Sequence, residues 1–169
     1  EYDKVLAIHD WICKSVEYKT VKNDSDQDIY GAFILNQAVC AGYAKAFSYA
    51  LDKVGIESEV ISGDSINRNG DSVAHAWNIV YVNNSKYHVD VTWDDPVWDK
   101  SGQVLHNNFL RSTEGIKATN HTATDFDTSP TDTTFDNYYW QNSETAFQLV
   151  DDDIYYIDNS AATLNKISD

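Results

Sequence analysis

Cys40, His75 and Asp90 follow one another along the chain in the order of a thiol nucleophile, its base and the acid that orients the base. A thiol attacks as its thiolate, so it needs a neighbour to take its proton. An imidazole serves better when a carboxylate fixes its tautomer and stabilises its cation. Such a set carries acyl transfer through a thioester. Each residue also has an ordinary structural use. Free cysteine is among the most buried residue types, a strand histidine is commonly a surface or satisfied core residue, and a strand-end aspartate is commonly a surface charge. The coincidence of all three favours chemistry.

The elements that must position these residues are legible. From Gln37 to Gly55 the apolar residues Tyr43, Ala44, Phe47, Ala50, Leu51 and Val54 recur at spacings of three and four, which predicts a helix over 40–54. Gly55 is its natural stop, and Ile34 to Gln37 read as a loop leading in. Cys40 then falls in or beside the first helical turn. Unpaired N–H groups and the positive end of the helix dipole favour the thiolate there, and the same N–H groups could hold an oxyanion.

Residues 73–82 and 86–93 are rich in aromatic and β-branched types and flank Asn83, Asn84 and Ser85, the pattern of a β-hairpin. With a two-residue Asn83-Asn84 turn, Val82 faces Ser85, Trp77 faces Asp90 and His75 faces Thr92. His75 and Asp90 are then diagonal neighbours on one face, about 7–8 Å apart along the backbone. A three-residue turn would put them on opposite faces.

The runs Ala38-Val39-Cys40-Ala41-Gly42-Tyr43-Ala44, His75-Ala76-Trp77-Asn78 and His88-Val89-Asp90-Val91-Thr92-Trp93-Asp94-Asp95-Pro96 resemble the transglutaminase-like domain, a branch of the papain-like cysteine-protease fold, and in particular its bacterial surface and secreted members. Ile8-His9-Asp10-Trp11-Ile12-Cys13 resembles the family's opening helix, and Asn108-Phe109-Leu110 a strand after the last triad residue; the similarity covers roughly residues 1–125. It implies an α+β, papain-like or transglutaminase-core fold, with N-terminal helices and the nucleophile at a helix start packed on an antiparallel sheet. It also implies Cys40, His75 and Asp90 as nucleophile, base and acid, and a location outside the cell or on a bacterial surface. Tyr30 stands where the family commonly carries a tyrosine near the nucleophile. Gln37 precedes Cys40 as a glutamine precedes the cysteine of papain-like enzymes, at a shorter spacing. Trp77 and Trp93 could wall the cleft and exclude water, or simply pack.

Other chemistry-bearing residues read as structural. Cys13 lies among Leu6, Ile8, Trp11, Ile12 and Val16 and reads as a buried thiol, although a Cys13–Cys40 disulfide would mask the nucleophile. His9, His88, His106 and His121 read as surface or satisfied core residues. Asp24, Asp26 and Asp28 alternate without the glycine and glutamate of a calcium loop and read as solvated. Zinc spacings are absent, so no metal and no cofactor is expected. Asp94, Asp95 and Pro96 read as a turn that ends the strand.

Twelve basic against 27 acidic residues give a net charge of −15, which opposes nucleic acid and anionic membranes. No stretch approaches the roughly 18 apolar residues of a membrane span. The chain contains no methionine, position 1 included, so it is expected to be an excised piece of a longer polypeptide. A strand is expected over 57–63, a polar turn over the cleft from 63 to 72, and irregular chain over 97–137 with a closing strand near 108–111. The division is a catalytic domain over 1–137 and a β-rich extension over 138–169, whose strands Tyr138–Trp140, Ala146–Val150, Ile154–Ile157 and Leu164–Ile167 resemble propeller-type repeats of bacterial surface proteins. The function expected is thiol-dependent acyl transfer on amides of protein or peptide substrates, cell-wall peptide among them: glutamine transamidation, deamidation or peptide-bond hydrolysis. The competing class is a non-catalytic surface module binding peptide or glycan.

Overall fold

The computed structural model describes residues 1–20, 25–67, 69–96, 103–122, 128–151 and 153–167; Asp24 and the residues at 123–124 lie outside them. Helix α1 (Tyr2–Ser15) carries Asp3 in its first turn and Lys14 in its last, as the helix dipole favours. Its inner face buries Val5, Leu6, Ile12 and Cys13 together with His9 and Asp10. The short strands β1 (Glu17–Tyr18) and β2 (Gln37–Ala38) pair in parallel, so the chain leaving α1 lies beside the chain entering the next helix. Between them, Gly31–Leu35 forms a wide helical turn of the π type, closed by Asn36 at φ 52°; the loop expected there begins only after it.

Helix α2 (Cys40–Lys53) buries Tyr43, Ala44, Ala46, Phe47 and Leu51 against the sheet. Gly42 is required: a Cβ would run into the Asp26 carbonyl oxygen and crowd the Ala38 side chain. Asp26 is therefore buried and not solvated, because its backbone packs on the second turn-forming residue after Cys40. Asp28 remains outside and accepts hydrogen bonds from the N–H groups of Tyr30 and Gly31.

The main sheet joins β3 (Ser58–Ile66), β4 (Ser72–Val82), β5 (Ser85–Val89) and β6 (His121–Thr122) in the order β5-β4-β3-β6, all antiparallel. The strand expected over 57–63 runs on to Ile66. The turn expected over the cleft from 63 to 72 is shortened by this extension, and Asn67 Oδ1 accepts from the N–H groups of Asn69 and Asp71 before β4 begins. Asn83 and Asn84 both have positive φ, 50° and 66°, the two-residue turn whose twist matches the strands. Val82 pairs with Ser85 and Asn78 with Val89, the register the two-residue turn requires.

Pairing stops at Val89. The residues expected to continue as strand to Trp93 instead form a single helical turn, α3 (Val91–Asp94). Asp90 is the reason: its Oδ1 accepts from the N–H groups of Thr92 and Trp93, the bonds of a helix N-cap. The closing strand near 108–111 is reduced to one antiparallel bridge, His88 with Arg111. Within the stretch expected to be irregular lies α4 (Thr113–Ala118), started by Ser112, whose hydroxyl accepts from Gly115 N–H.

In the tail, Tyr139–Asn142 is a 3₁₀ turn, not the strand expected at Tyr138–Trp140. The strands β7 (Gln148–Val150), β8 (Asp153–Asp158) and β9 (Thr163–Ile167) follow as an antiparallel sheet. Trp140 is fully buried, its ring 5.6 Å from Tyr2 and 5.3 Å from Phe109. One core therefore unites α1, α2, β4, β5 and these aromatic residues. The architecture is α+β, helices packed on an antiparallel sheet with Cys40 at a helix start, the papain-like and transglutaminase-core arrangement.

Candidate active site

Cys40 is the first residue of α2 and His75 lies in β4, elements that pack together, so the helix start meets the strand. The groups that act on the Cys40 thiol are the His75 imidazole and the backbone N–H groups of Ala76 and Ala41. Burial alone would raise its pKa. The His75 hydrogen bond and charge, with those two N–H groups, outweigh burial and lower it. His75 Nε2 lies 2.7 Å from Asp90 Oδ2, which leaves Nδ1 for the thiol. Burial opposes a charge on His75 as well, but the Asp90 charge and hydrogen bond, then Cys40, raise its pKa to about 10. Asp90 is fully buried, which would push its carboxyl up; His75 and His121 more than offset this and hold it well below the usual carboxylate range. These directions favour a thiolate on Cys40 and an imidazolium on His75, with the Asp90 carboxylate behind it.

His121 was not distinguished from the other structural histidines by its sequence. It is fully buried, and its Nε2 lies 2.8 Å from the same Asp90 Oδ2. No local signal marks it: it follows a threonine-rich polar stretch 31 positions after Asp90 and arrives through the pairing of β6 with β3. Trp77 stacks on His75 at 5.9 Å between ring centroids, and Trp93 lies 5.5 Å from it on α3. Trp77 also donates its indole N–H to His88 Nδ1, so it both packs and flanks the imidazole. The Tyr18 phenol pKa is raised by burial and by the charges of Cys40, Asp90 and Asp26. Tyr30 is 53% exposed, and Gln37 donates its amide N–H to Glu17 Oε2 at 3.0 Å. Among the described contacts neither reaches Cys40, His75 or Asp90.

Behind α3 lies a second polar cluster. Asp94 accepts from the backbone and side-chain N–H groups of Asn108 and from His9 Nε2 at 3.2 Å. Asp10 Oδ1 accepts from His9 Nδ1 and His106 Nε2, each at 2.9 Å, and its Oδ2 accepts from Phe147 N–H. Burial works against a charge on His9, but Cys13, Asp10 and Asp94 raise its pKa well above the ordinary value. Cys13 is a free thiol pushed up to about 12 by burial, and Cys40 is likewise free. The ligand-type atoms of His9, Asp10 and His106 lie within 4.8 Å of one another, as do those of His75, Asp90 and His121. In both groups the ring nitrogens are engaged by carboxylates of the same cluster. This donor set fits hydrogen-bonded charge pairs.

With that geometry in view, residues 1–91 match the model of the transglutaminase-like superfamily. The chain belongs to this superfamily. Three solved structures are similar. A TGase has 22% identity and a TM-score of 0.48, over 54% of this chain and 26% of its own. A candidate cysteine protease from Cytophaga hutchinsonii has 26% identity and a TM-score of 0.48, over 54% of this chain and 32% of its own. An arylamine N-acetyltransferase from Bacillus cereus with a Cys-His-Glu triad has 12% identity and a TM-score of 0.46, over all of this chain and 86% of its own. The chain thus spans about a quarter to a third of the first two structures. No curated protein matches. Membership of this superfamily supports thiol-dependent catalysis in general terms. Among the described residues, no helix is long and apolar enough to cross a membrane.

Proposed function

We propose that this transglutaminase-like chain transfers acyl groups from amides of proteins or peptides through a thioester on Cys40. The observation that carries the reading is the buried His75 Nε2–Asp90 Oδ2 contact of 2.7 Å, set beside a Cys40 thiol at the start of α2 whose pKa His75 lowers. The thiolate attacks the carboxamide carbon and forms the C–S bond. His75 gives its proton to the departing nitrogen, releasing ammonia from a glutamine or an amine from a peptide bond. The neutral imidazole then takes a proton from an incoming amine or water, which attacks the thioester and restores the thiolate. The N–H groups at the start of α2 are the donors available to the oxyanion. Trp77 and Trp93 keep water from the His75–Asp90 bond. A location outside the cell is the setting we propose, on the sequence resemblance alone.

Alkylation by iodoacetamide tests the thiol. Near neutral pH Cys40 should label quickly, and His75→Ala should slow it by more than tenfold. Slow labelling that ignores the substitution would rule the enzyme out in favour of a binding module. Incubation with glutamine peptides, with and without a primary amine, then separates transamidation from hydrolysis by ammonia release and mass shift.

A further inference from the structure

The three-residue scheme leaves His121 unused, although it makes as short a contact with Asp90 as His75 does. His75 Nε2 and His121 Nε2 converge on Asp90 Oδ2 at 2.7 and 2.8 Å, and Asp90 Oδ1 accepts from the N–H groups of Thr92 and Trp93. A carboxylate offers about four acceptor positions, and here all are used at a residue with no exposed surface. The two imidazole nitrogens therefore share the charge of one oxygen.

This sharing matters because His75 has two tasks. It must keep Cys40 ionised by holding a proton, and it must release that proton to the leaving nitrogen. A general acid–base group works best when its affinity for the proton is matched to the operating pH. A buried carboxylate facing His75 alone would bind the imidazolium too firmly for the second task. We propose that His121 is a positioning residue of this site, which donates its Nε2–H to the oxygen that serves His75 and so limits how firmly His75 holds its proton. The inference rests on the triad reading above.

The fold places His121 for this role. Ser65 pairs with His121 and Asp64 with Thr122, Asn120 turns the chain at φ 71°, and His121 Nδ1 faces the Thr119 hydroxyl at 3.3 Å. The rings of Trp77 and Trp93 lie 5.0 and 5.2 Å from the His121 ring, so the shared oxygen is walled by aromatic groups. The titratable groups around the shared carboxylate are Cys40 from α2, His75 from β4, His121 from β6 and Tyr18 from β1, with Asp26 acting on Tyr18. His88 from β5 is bonded to the far side of Trp77.

The test is the ultraviolet absorbance of the Cys40 thiolate in the whole chain, followed against pH. Cys13 does not interfere, since burial holds its thiol up to about 12. His121→Leu removes the donor, and His121→Asn keeps a polar group near Thr119 but is too short to reach Asp90. His121→Gln retains an N–H that spans the distance. With the second donor gone, Asp90 stabilises the imidazolium more strongly and the thiolate survives to lower pH. The acid constant of Cys40 should rise by about three- to tenfold in the Leu and Asn variants, half to one unit of pH, and stay within about threefold of wild type in Gln. Circular dichroism and thermal melting confirm folding, and Asn carries the test should Leu not fold. A folded Leu or Asn variant with an unchanged or higher onset, or a Gln variant that moves as far as Leu, overturns the role of His121 while the triad stands. A wild-type Cys40 that titrates as an ordinary thiol overturns both.

Discussion

His75 and Asp90 meet diagonally across the β4–β5 hairpin: their Nε2 and Oδ2 atoms are 2.7 Å apart, although the last paired residues are Asn78 and Val89. The contact depends on a register set by two asparagines and on a strand that ends one residue before the acid. Both conditions can be tested, as can the packing beneath the nucleophile.

The turn comes first. Asn84 sits at φ 66°, in the left-handed region that β-branched residues avoid. Asn84→Val should lower stability by about 1–2 kcal/mol, and Asn84→Gly should be neutral or slightly stabilising. Urea denaturation of the three proteins measures both.

Gly42 anchors the start of α2 against the Asp26 carbonyl, two residues from Cys40. Gly42→Ala forces backbone apart and should cost about 1–3 kcal/mol. It should also slow Cys40 alkylation at neutral pH severalfold, because the helix start moves relative to His75. Wild-type alkylation with intact stability would show that the contact is relieved without moving the helix.

Asp94 joins α3 to His9 and Asn108 inside the protein. Asp94→Ala leaves the His9 charge and two Asn108 donors short of a partner, and should cost about 3–5 kcal/mol by the usual measure of breaking a buried pair. In a double-mutant cycle with His9→Phe the two losses should be non-additive, since the second change removes the Nε2 donor that the first one leaves unpaired. Additive losses would mean that His9 and Asp94 act independently.

Stability should depend on pH at both ends. Asp10 and Asp90 have depressed folded-state pKa values, so their contribution is present above about pH 4 and is lost as the pH falls through the folded values. His9 and His75 are raised, so theirs is complete below about pH 6.5 and is lost as the pH rises, for His75 through about 10. Unfolding free energy should therefore fall between about pH 6.5 and 9 through His9, while the proton that folded Cys40 gives up offsets the His75 contribution over most of that range. A flat profile from pH 6.5 to 9 would contradict the raised affinity of His9 for its proton.

Much of this arrangement is local and was legible before any coordinates. Apolar spacing marks α2 and puts Cys40 at its start, and two asparagines between β-rich runs mark the hairpin with its register; these patterns depend only on neighbours a few residues away. The identity of Asp90 as a helix N-cap was equally local, since an aspartate before Val91-Thr92-Trp93-Asp94 is a capping signal, but the continuing β-branched and aromatic run masked it.

What only tertiary structure decided are the meetings of distant residues. His121 reaches Asp90 from 31 positions away through a two-residue strand, and His9, Asp10, Asp94 and His106 converge from three separate segments. Nothing in a single histidine distinguishes a surface position from a shared carboxylate, because burial and partner are properties of packing. The order of Cys40, His75 and Asp90 is written along the chain; the second histidine on Asp90 is one that only the assembled sheet brings there.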